Sequence, residues 1–362
     1  IISDNGIPVV AFTTTREDAG LFLADKITAA EFLGLIRDRA PINSELIGAL
    51  SLINLSPFNP EITEGLPGKK LNREWWGYGL KPDFQMYLES REGFLKYRAG
   101  GSGWLSLYPW KGSTFIAGLQ LHPLNDVPVE NVEANSLQVR GDVALYKSQS
   151  AALSMLMYDQ IHKFQKEIYG RISAGLLEVQ YAGVDGEIAR PFFGGRLMLG
   201  LSGSVVKKRD PDRALGLKEN DVRDRYETAF FNTRLNLPEV EGAIDLKMGQ
   251  FLAGDRGMRI TLSKFFNGVV LSAWYSETNT DIFSDPWNRG YHDKGVSITI
   301  PLRLFGGTDS KTVYGLGISP WTRDVAQDIE HFNTLFDYIG RNTDTYLKKD
   351  SLSRDYRNAG FK

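Results

Sequence analysis

From Trp75 to Trp321 apolar and polar side chains alternate with a period of two, the spacing that sends successive residues to opposite faces of a β-sheet. Near the end of this span Val296, Ile298, Ile300, Leu302 and Leu304 interleave with Ser297, Thr299, Pro301 and Arg303. A helix would scatter those apolar residues around its circumference. The design recurs with Leu197, Leu199, Leu201 and Val205 against Arg196, Gly200, Ser202 and Ser204. It recurs again with Ile244, Leu246 and Met248 against Asp245, Lys247 and Gly249, and with Ile168, Ile172, Ala174 and Leu176 against Tyr169, Arg171, Ser173 and Gly175. Asn267-Gly268, between Ile260/Leu262 and Val269/Leu271, is a strong hairpin signal. The pattern predicts an all-β, antiparallel fold of about 12 to 14 strands. They fall near 76–88, 94–108, 113–123, 141–149, 151–160, 167–177, 183–190, 195–206, 225–237, 242–252, 257–266, 269–279, 294–304 and 311–321.

A soluble sandwich alternates in the same way, so period alone leaves it open. Other features favour a transmembrane β-barrel. Many strands have the roughly 9 to 11 residues that cross a bilayer at a tilt. Aromatics gather near strand ends, at Trp75, Trp76, Tyr78, Tyr108, Trp110, Phe265, Phe266 and Trp321, as interfacial girdles do. The polar faces mix Arg, Lys and Asp with Gly and Ser, which suits a wet or hydrogen-bonded lumen. Connections near 207–224 and 280–293 are long and polar, whereas 238–241, 267–268 and 305–310 are short. Such barrels place long loops outside and short turns in the periplasm, but the strand list leaves the orientation open.

Residues 1–70 look different. A strand candidate at Pro8 to Thr13 precedes two helical stretches, the second opening at Thr28 with Glu31 three residues on, as in a capping box. Ala29, Phe32, Leu33 and Ile36 then share a face, and Ser56 to Lys70 reads as a Pro- and Gly-containing linker. The chain therefore divides into a small α/β element and linker on the periplasmic side (1–70), a barrel (71–325) and a polar C-terminal tail (326–362).

Composition narrows the function. Charged residues are 24% of the chain and the net charge is -2, without long runs of one sign, so nucleic acid is not an expected partner. There is no Cys, which removes disulfides, thiolate metal sites and cysteine nucleophiles. His122, His162, His292 and His331 lack metal-ligand spacing, and no Gly-X-Ser-X-Gly elbow occurs. No cofactor, metal or catalytic residue is expected.

The run Glu167-Ile-Tyr-Gly-Arg-Ile-Ser-Ala-Gly-Leu-Leu-Glu178, continuing Tyr181-Ala-Gly-Val-Asp-Gly-Glu-Ile-Ala-Arg-Pro191, resembles a signature of the YjbH/GfcD family of exopolysaccharide-biosynthesis outer-membrane proteins. Gly249 to Gly257, Asp293 to Leu302 and Ser319-Pro-Trp-Thr-Arg-Asp324 resemble further signatures of that family. The likeness spans roughly 75–330. It implies residence in a Gram-negative outer membrane and a role in extracellular polysaccharide production. Family members are typically longer, so the sequence looks like the later part of such a chain. The residues it singles out are Glu178, Tyr181, Gly183, Glu187, Arg190, Gly254, Asp255, Gly257, Arg323 and Asp324, and they are read as structural. Gly254 and Gly257 around Asp255-Arg256 would form a tight turn with a local ion pair, and Glu187 with Arg190 a lumen salt bridge.

The functional expectation is a non-enzymatic conduit or scaffold for exopolysaccharide. A plugged anchor that recruits export machinery is the alternative, and a barrel hydrolase the less favoured one. Arg171, Ser173, Asp245, Lys247, Arg259, Trp274 and Arg303 are the candidate lumen and polysaccharide contacts, chosen by face. Leu197, Leu199, Ile298, Ile300 and Leu302 should face lipid. Expected partners are outer-membrane lipid, polysaccharide and periplasmic or lipoprotein export components.

Overall fold

The alternating segments fold as one meander. The computed structural model describes residues 2–4, 7–9, 75–90, 93–110, 112–127, 137–266, 269–301, 313–318 and 323–340. A small hairpin pairs β1 (Ile2–Asp4) with β2 (Ile7–Val9). The main body is a 13-stranded sheet in which each strand pairs with its sequence neighbours. It comprises β3 (Trp76–Ser90), β4 (Gly93–Leu107), β5 (Ser113–Asn125), β6 (Ala151–Lys163), β7 (Tyr169–Leu176), β8 (Tyr181–Phe192), β9 (Leu197–Lys208), β10 (Tyr226–Leu237), β11 (Gly242–Gln250), β12 (Arg256–Phe266), β13 (Val269–Thr278), β14 (Lys294–Pro301) and β15 (Val313–Ile318). Every pairing is antiparallel. The sheet curls until β3 and β15 come within 8 Å, a nearly closed barrel. Because the strand number is odd, β3 and β15 run in the same direction, and no ladder joins them among the described residues.

Register carries the alternation across the sheet. The row Leu199, Thr233, Leu246 and Ile260 points outward, while Met198, Arg234, Asp245 and Thr261 point inward. The outward face is apolar almost throughout: Leu119 and Leu201 are each 58% exposed, and Leu80, Leu105, Ile172, Val184, Leu262 and Leu271 stand beside them. An uninterrupted apolar girdle of this extent is far beyond the patches that soluble proteins expose. Leu197 and Leu199 share the outward face of β9, as Ile298 and Ile300 do on β14.

The two ends of the barrel differ. At one end the turns are short, at 164–168, 193–196 and 238–241, and exposed Trp75, Trp76, Tyr78, Trp110, Phe164, Phe193 and Phe266 ring it. The other end carries the long connections 126–150, 209–225 and 279–293. There the loops fold inward over a buried core of Tyr181, Tyr226, Phe230, Phe251, Leu252, Phe283, Val325, Ala326 and Ile329. The hydrophobic core thus sits inside the barrel mouth.

Three expectations change. The strand expected at 141–149 is instead the helix α1 (Val143–Lys147), whose Val143, Ala144 and Tyr146 are buried; so short an apolar run does not declare its period. Residues 326–340, expected to belong to a polar tail, do not hang outside. With Arg323 to Val325 they form a strap through the lumen that ends in α2 (Leu335–Gly340). Arg190 faces outward and stacks on Phe192 at 4.8 Å, so it makes no lumen salt bridge with Glu187. The helices expected before Lys70, the Asn267-Gly268 turn, Leu302 and Arg303 lie outside the described residues.

Close approach of strands makes particular glycines obligatory. Gly249 has φ +152, and a Cβ there would lie 2.0 Å from the Ala229 carbonyl oxygen. Gly249→Ala should therefore destabilise the barrel by about 1–3 kcal/mol, read as a lowered urea midpoint. An unchanged midpoint would contradict this packing.

Candidate functional site

The lumen is the site that the fold builds, and its inward rows meet the strap along the whole barrel. At the long-loop end the Asp324 carboxylate accepts the backbone N–H groups of Val139, Arg140 and Gly141 at 2.8, 2.7 and 2.9 Å. Arg323 stacks on Tyr291 at 4.7 Å and on Trp287 at 5.6 Å. Asp255, fully buried, accepts the Ala326 N–H at 2.8 Å. The tight turn expected there exists, with Gly254 at φ +94 and its N–H on the Phe251 carbonyl. The expected local ion pair does not: Arg256 is exposed and bonds Gln250 instead.

Beneath this layer Arg140 makes a two-pronged bond to Glu178, at 2.7 and 3.1 Å, and donates to the Asp328 carbonyl at 2.6 Å. Glu178 also accepts the Glu330 N–H at 2.9 Å, and Tyr181 donates its hydroxyl to the Val139 carbonyl at 2.7 Å. Arg140 is buried, so its desolvation is offset only because carboxylate, amide and carbonyl acceptors surround it. Removing one partner of such a pair costs about 3–5 kcal/mol.

Farther down, Lys247 pairs with Asp328 at 2.6 Å, and His331 sits between Asp185 at 3.3 Å and Asp328 at 3.7 Å. Arg171 is buried among Asp159, Asp185, Glu187 and Ser173. Glu187 accepts the Leu335 N–H at 2.7 Å, which starts α2. Arg234 pairs with Asp245 and donates to the Phe336 carbonyl. Asn236 bonds the Gly340 carbonyl at 2.9 Å near the short turns. The strap therefore runs from one end of the lumen to the other.

Of the residues expected in the lumen, Arg171, Ser173, Asp245, Lys247, Arg259 and Trp274 all point inward, while Arg303 lies outside the described residues. Most are committed to protein partners. Arg259 holds Asp293 at 2.8 Å and the Ala326 carbonyl at 2.6 Å, and Asp293 also takes the Trp274 indole N–H at 3.0 Å. Gly183 and Gly257 let β8 approach β9 and β12 approach β13. The strap residues after Asp324, together with Arg140 and Trp104, escaped the sequence reading. Trp104 had a signal: it is the aromatic on the polar face of β4, alternating with Ser102 and Ser106.

Beside the strap a cavity of about 790 Å³ remains, lined by strap residues between Glu330 and Tyr338 and by residues of β3 to β14. One Ser, His and Asp cluster lies near it. Ser102 donates to Asp83 at 2.9 Å, and His122 lies 3.1 Å from the same carboxylate. Both converge on the Asp, so the hydroxyl is not presented to the imidazole as a nucleophile requires.

Residues 6–341 match the family YjbH, described as "Exopolysaccharide biosynthesis protein YbjH". The chain belongs to the YjbH family. The YjbH match takes in the strap and ends one residue after α2. A YjbH relative, the uncharacterized lipoprotein YjbH of Escherichia coli (strain K12), is 23% identical over 291 residues. That alignment covers 78% of this chain and 41% of the relative, so the chain spans less than half of the relative's length. The YjbH signatures seen in the sequence converge in space: Glu178, Tyr181, Asp255 and Asp324 hold the strap or the loop that receives it, and Asp293 holds Arg259, which bonds the Ala326 carbonyl of the strap.

The middle of the strap is clamped by charge. Lys247 of β11 and His331 of the strap flank the Asp328 carboxylate at 2.6 and 3.7 Å, and His331 also lies 3.3 Å from Asp185 of β8. A spin label on Asn333→Cys, the only thiol in the variant, should therefore gain mobility when Lys247→Ala removes one side of this clamp; unchanged mobility would sink the assignment.

Proposed function

We propose that the chain is an outer-membrane β-barrel that serves exopolysaccharide export as a non-catalytic scaffold, its lumen closed by its own strap. The observation that carries this reading is the continuous course of residues 323–340 through the lumen, from Asp324 among the long loops to Gly340 beside Asn236. A wide conduit would leave its inward charges to water, whereas here Arg171, Arg234, Lys247 and Arg259 are all engaged by protein.

Residence in a bilayer is supported by the apolar outward girdle and the aromatic ring at the short-turn end. Every strand from β4 to β14 pairs on both edges, so its backbone is satisfied within the sheet as hydrocarbon demands. The lipoprotein relative supports an envelope location. By the usual disposition of such barrels, the short turns face the periplasm, where export partners would dock. The third reading, a hydrolase, loses support because Ser102 and His122 share Asp83 and do not contact each other in a relay.

Two measurements test this. In planar bilayers the intact chain should show no large steady conductance, and deletion of residues 323–340 should open one; a wide pore in the intact protein would favour the conduit. Leu201→Arg, in mid-strand on the girdle, should cost about 2–4 kcal/mol of stability in lipid vesicles. A change within experimental error would argue against a lipid-facing girdle.

A further inference from the structure

The strap fills only part of the lumen. It is held to β8, β10 and β11 through Glu187, Arg234 and Lys247, and beside it remains the 790 Å³ cavity, lined by residues of β3 to β14. That volume lies in the range of sites for small ligands, about 300–1,000 Å³. Its walls are of contrasting kinds.

One wall is aromatic. The Trp104 indole lies flat against β3 at Gly79, where a Cβ would fall 2.1 Å from the ring, so no other residue would leave space for it. Phe332, on the strap, meets the indole edge-on, with centroids 6.1 Å apart and planes at 74°. The glycine supports one face of the ring, and both aromatics line the cavity.

Another stretch of the lining, on β12 to β14, carries hydroxyls beside Arg259, Phe265 and Val270. The hydroxyls are those of Thr261 and Ser263 of β12, Ser272 of β13 and Thr299 of β14. Ser263 and Ser272 bond each other at 2.9 Å and keep spare capacity, since each hydroxyl has one donor and two acceptor positions. The charges around the cavity are largely neutralised by protein, Lys247 by Asp328 and Arg234 by Asp245. An apolar platform beside a bank of uncharged hydroxyls is complementary to a ring with C–H groups on one face and hydroxyls at its edge.

We infer that this cavity is a binding site for a short oligosaccharide, with a pyranose ring stacked on Trp104 and its hydroxyls bonded to the Thr261, Ser272 and Thr299 wall. The inference rests on the scaffold reading for its biological setting, but the site is defined by its own geometry. Phe332 belongs to the strap, so a sugar in the cavity touches the plug directly. Bound sugar therefore favours the docked strap, because the Phe332 side of the site exists only when the strap is in place.

The test uses the purified chain in detergent and short oligosaccharides released by partial hydrolysis of the producing strain's own secreted polysaccharide, with maltohexaose as the size control. Titration calorimetry should show saturable binding of the former. Trp104→Leu and Phe332→Leu should each weaken it at least tenfold, while Trp110→Leu, outside the barrel wall, leaves it unchanged. Should the aromatic variants not fold, Thr299→Cys gives a second readout, since the chain has no other thiol. Saturating oligosaccharide should slow its reaction with a methanethiosulfonate reagent several-fold. No binding by the intact chain, or binding and labelling indifferent to these positions, overturns the site. Binding of maltohexaose alone overturns its match to the secreted polymer. If binding fails while deletion of the chain still abolishes secretion, the site is wrong and the scaffold stands. If binding holds but secretion survives the deletion, the scaffold is wrong and the site stands.

Discussion

The carboxylate of Asp324 accepts three successive backbone N–H groups from Val139, Arg140 and Gly141, and so joins the two non-strand segments that occupy the barrel. Consecutive amides aimed at one anion form a concave nest that favours negative charge. Once residues 139–141 are held, Arg140 reaches Glu178 and the Asp328 carbonyl. The strap is then positioned for Lys247, Asp185, Glu187 and Arg234 to engage it in turn. A lumen wall with this many charges is tolerable because the plug brings the complementary groups.

The division of labour between the faces follows from the same constraint. Outward positions need only be apolar, so any of Leu, Ile, Val or Phe serves, and the sequence uses all of them. Inward positions must be matched one by one, to a carbonyl, an amide or a charge. The glycines serve the fit of this inner face and of the strands that carry it. Gly79 makes room for an indole, and Gly249 for a neighbouring strand. The apolar core formed by Phe251, Leu252, Phe283 and Val325 closes the long-loop mouth, where polar pairing alone would leave water a path.

Much of this was legible in the sequence, for reasons that particular residues make clear. The alternation at 244–248 and 296–300 reports a face directly, so Asp245 and Lys247 could be assigned to the interior. The same rule argued against pairing Glu187 with Arg190, since an odd separation puts them on opposite faces. Residues 141–149 misled because five residues of helix are too few to show a period, and their conformation is set by Asp324, far along the chain. The strap was illegible for a related reason. Glu330, His331 and Asp337 read as a solvated tail until Glu178, Asp185 and Arg234 are placed beside them. Asp255 looked like the partner of the adjacent Arg256 and is instead bonded to Ala326. Sequence reports periodic structure well and non-local polar pairing poorly.

The strap also orders the events by which the molecule assembles. The sheet is built wholly from neighbouring hairpins, contacts that close short loops at small entropic cost. The plug's contacts are the opposite: Asp324 meets Val139 across 185 residues, and Leu335 meets Glu187 across 148. Non-local pairings of that kind form late. The segment that fills the lumen follows β15 in the chain, so it emerges from synthesis after the wall it must enter. The wall's one interruption among the described residues is the seam between β3 and β15, whose strands run parallel and share no ladder. The barrel is thus a vessel whose stopper is made last, and the seam is where its wall remains unfastened while the stopper is seated.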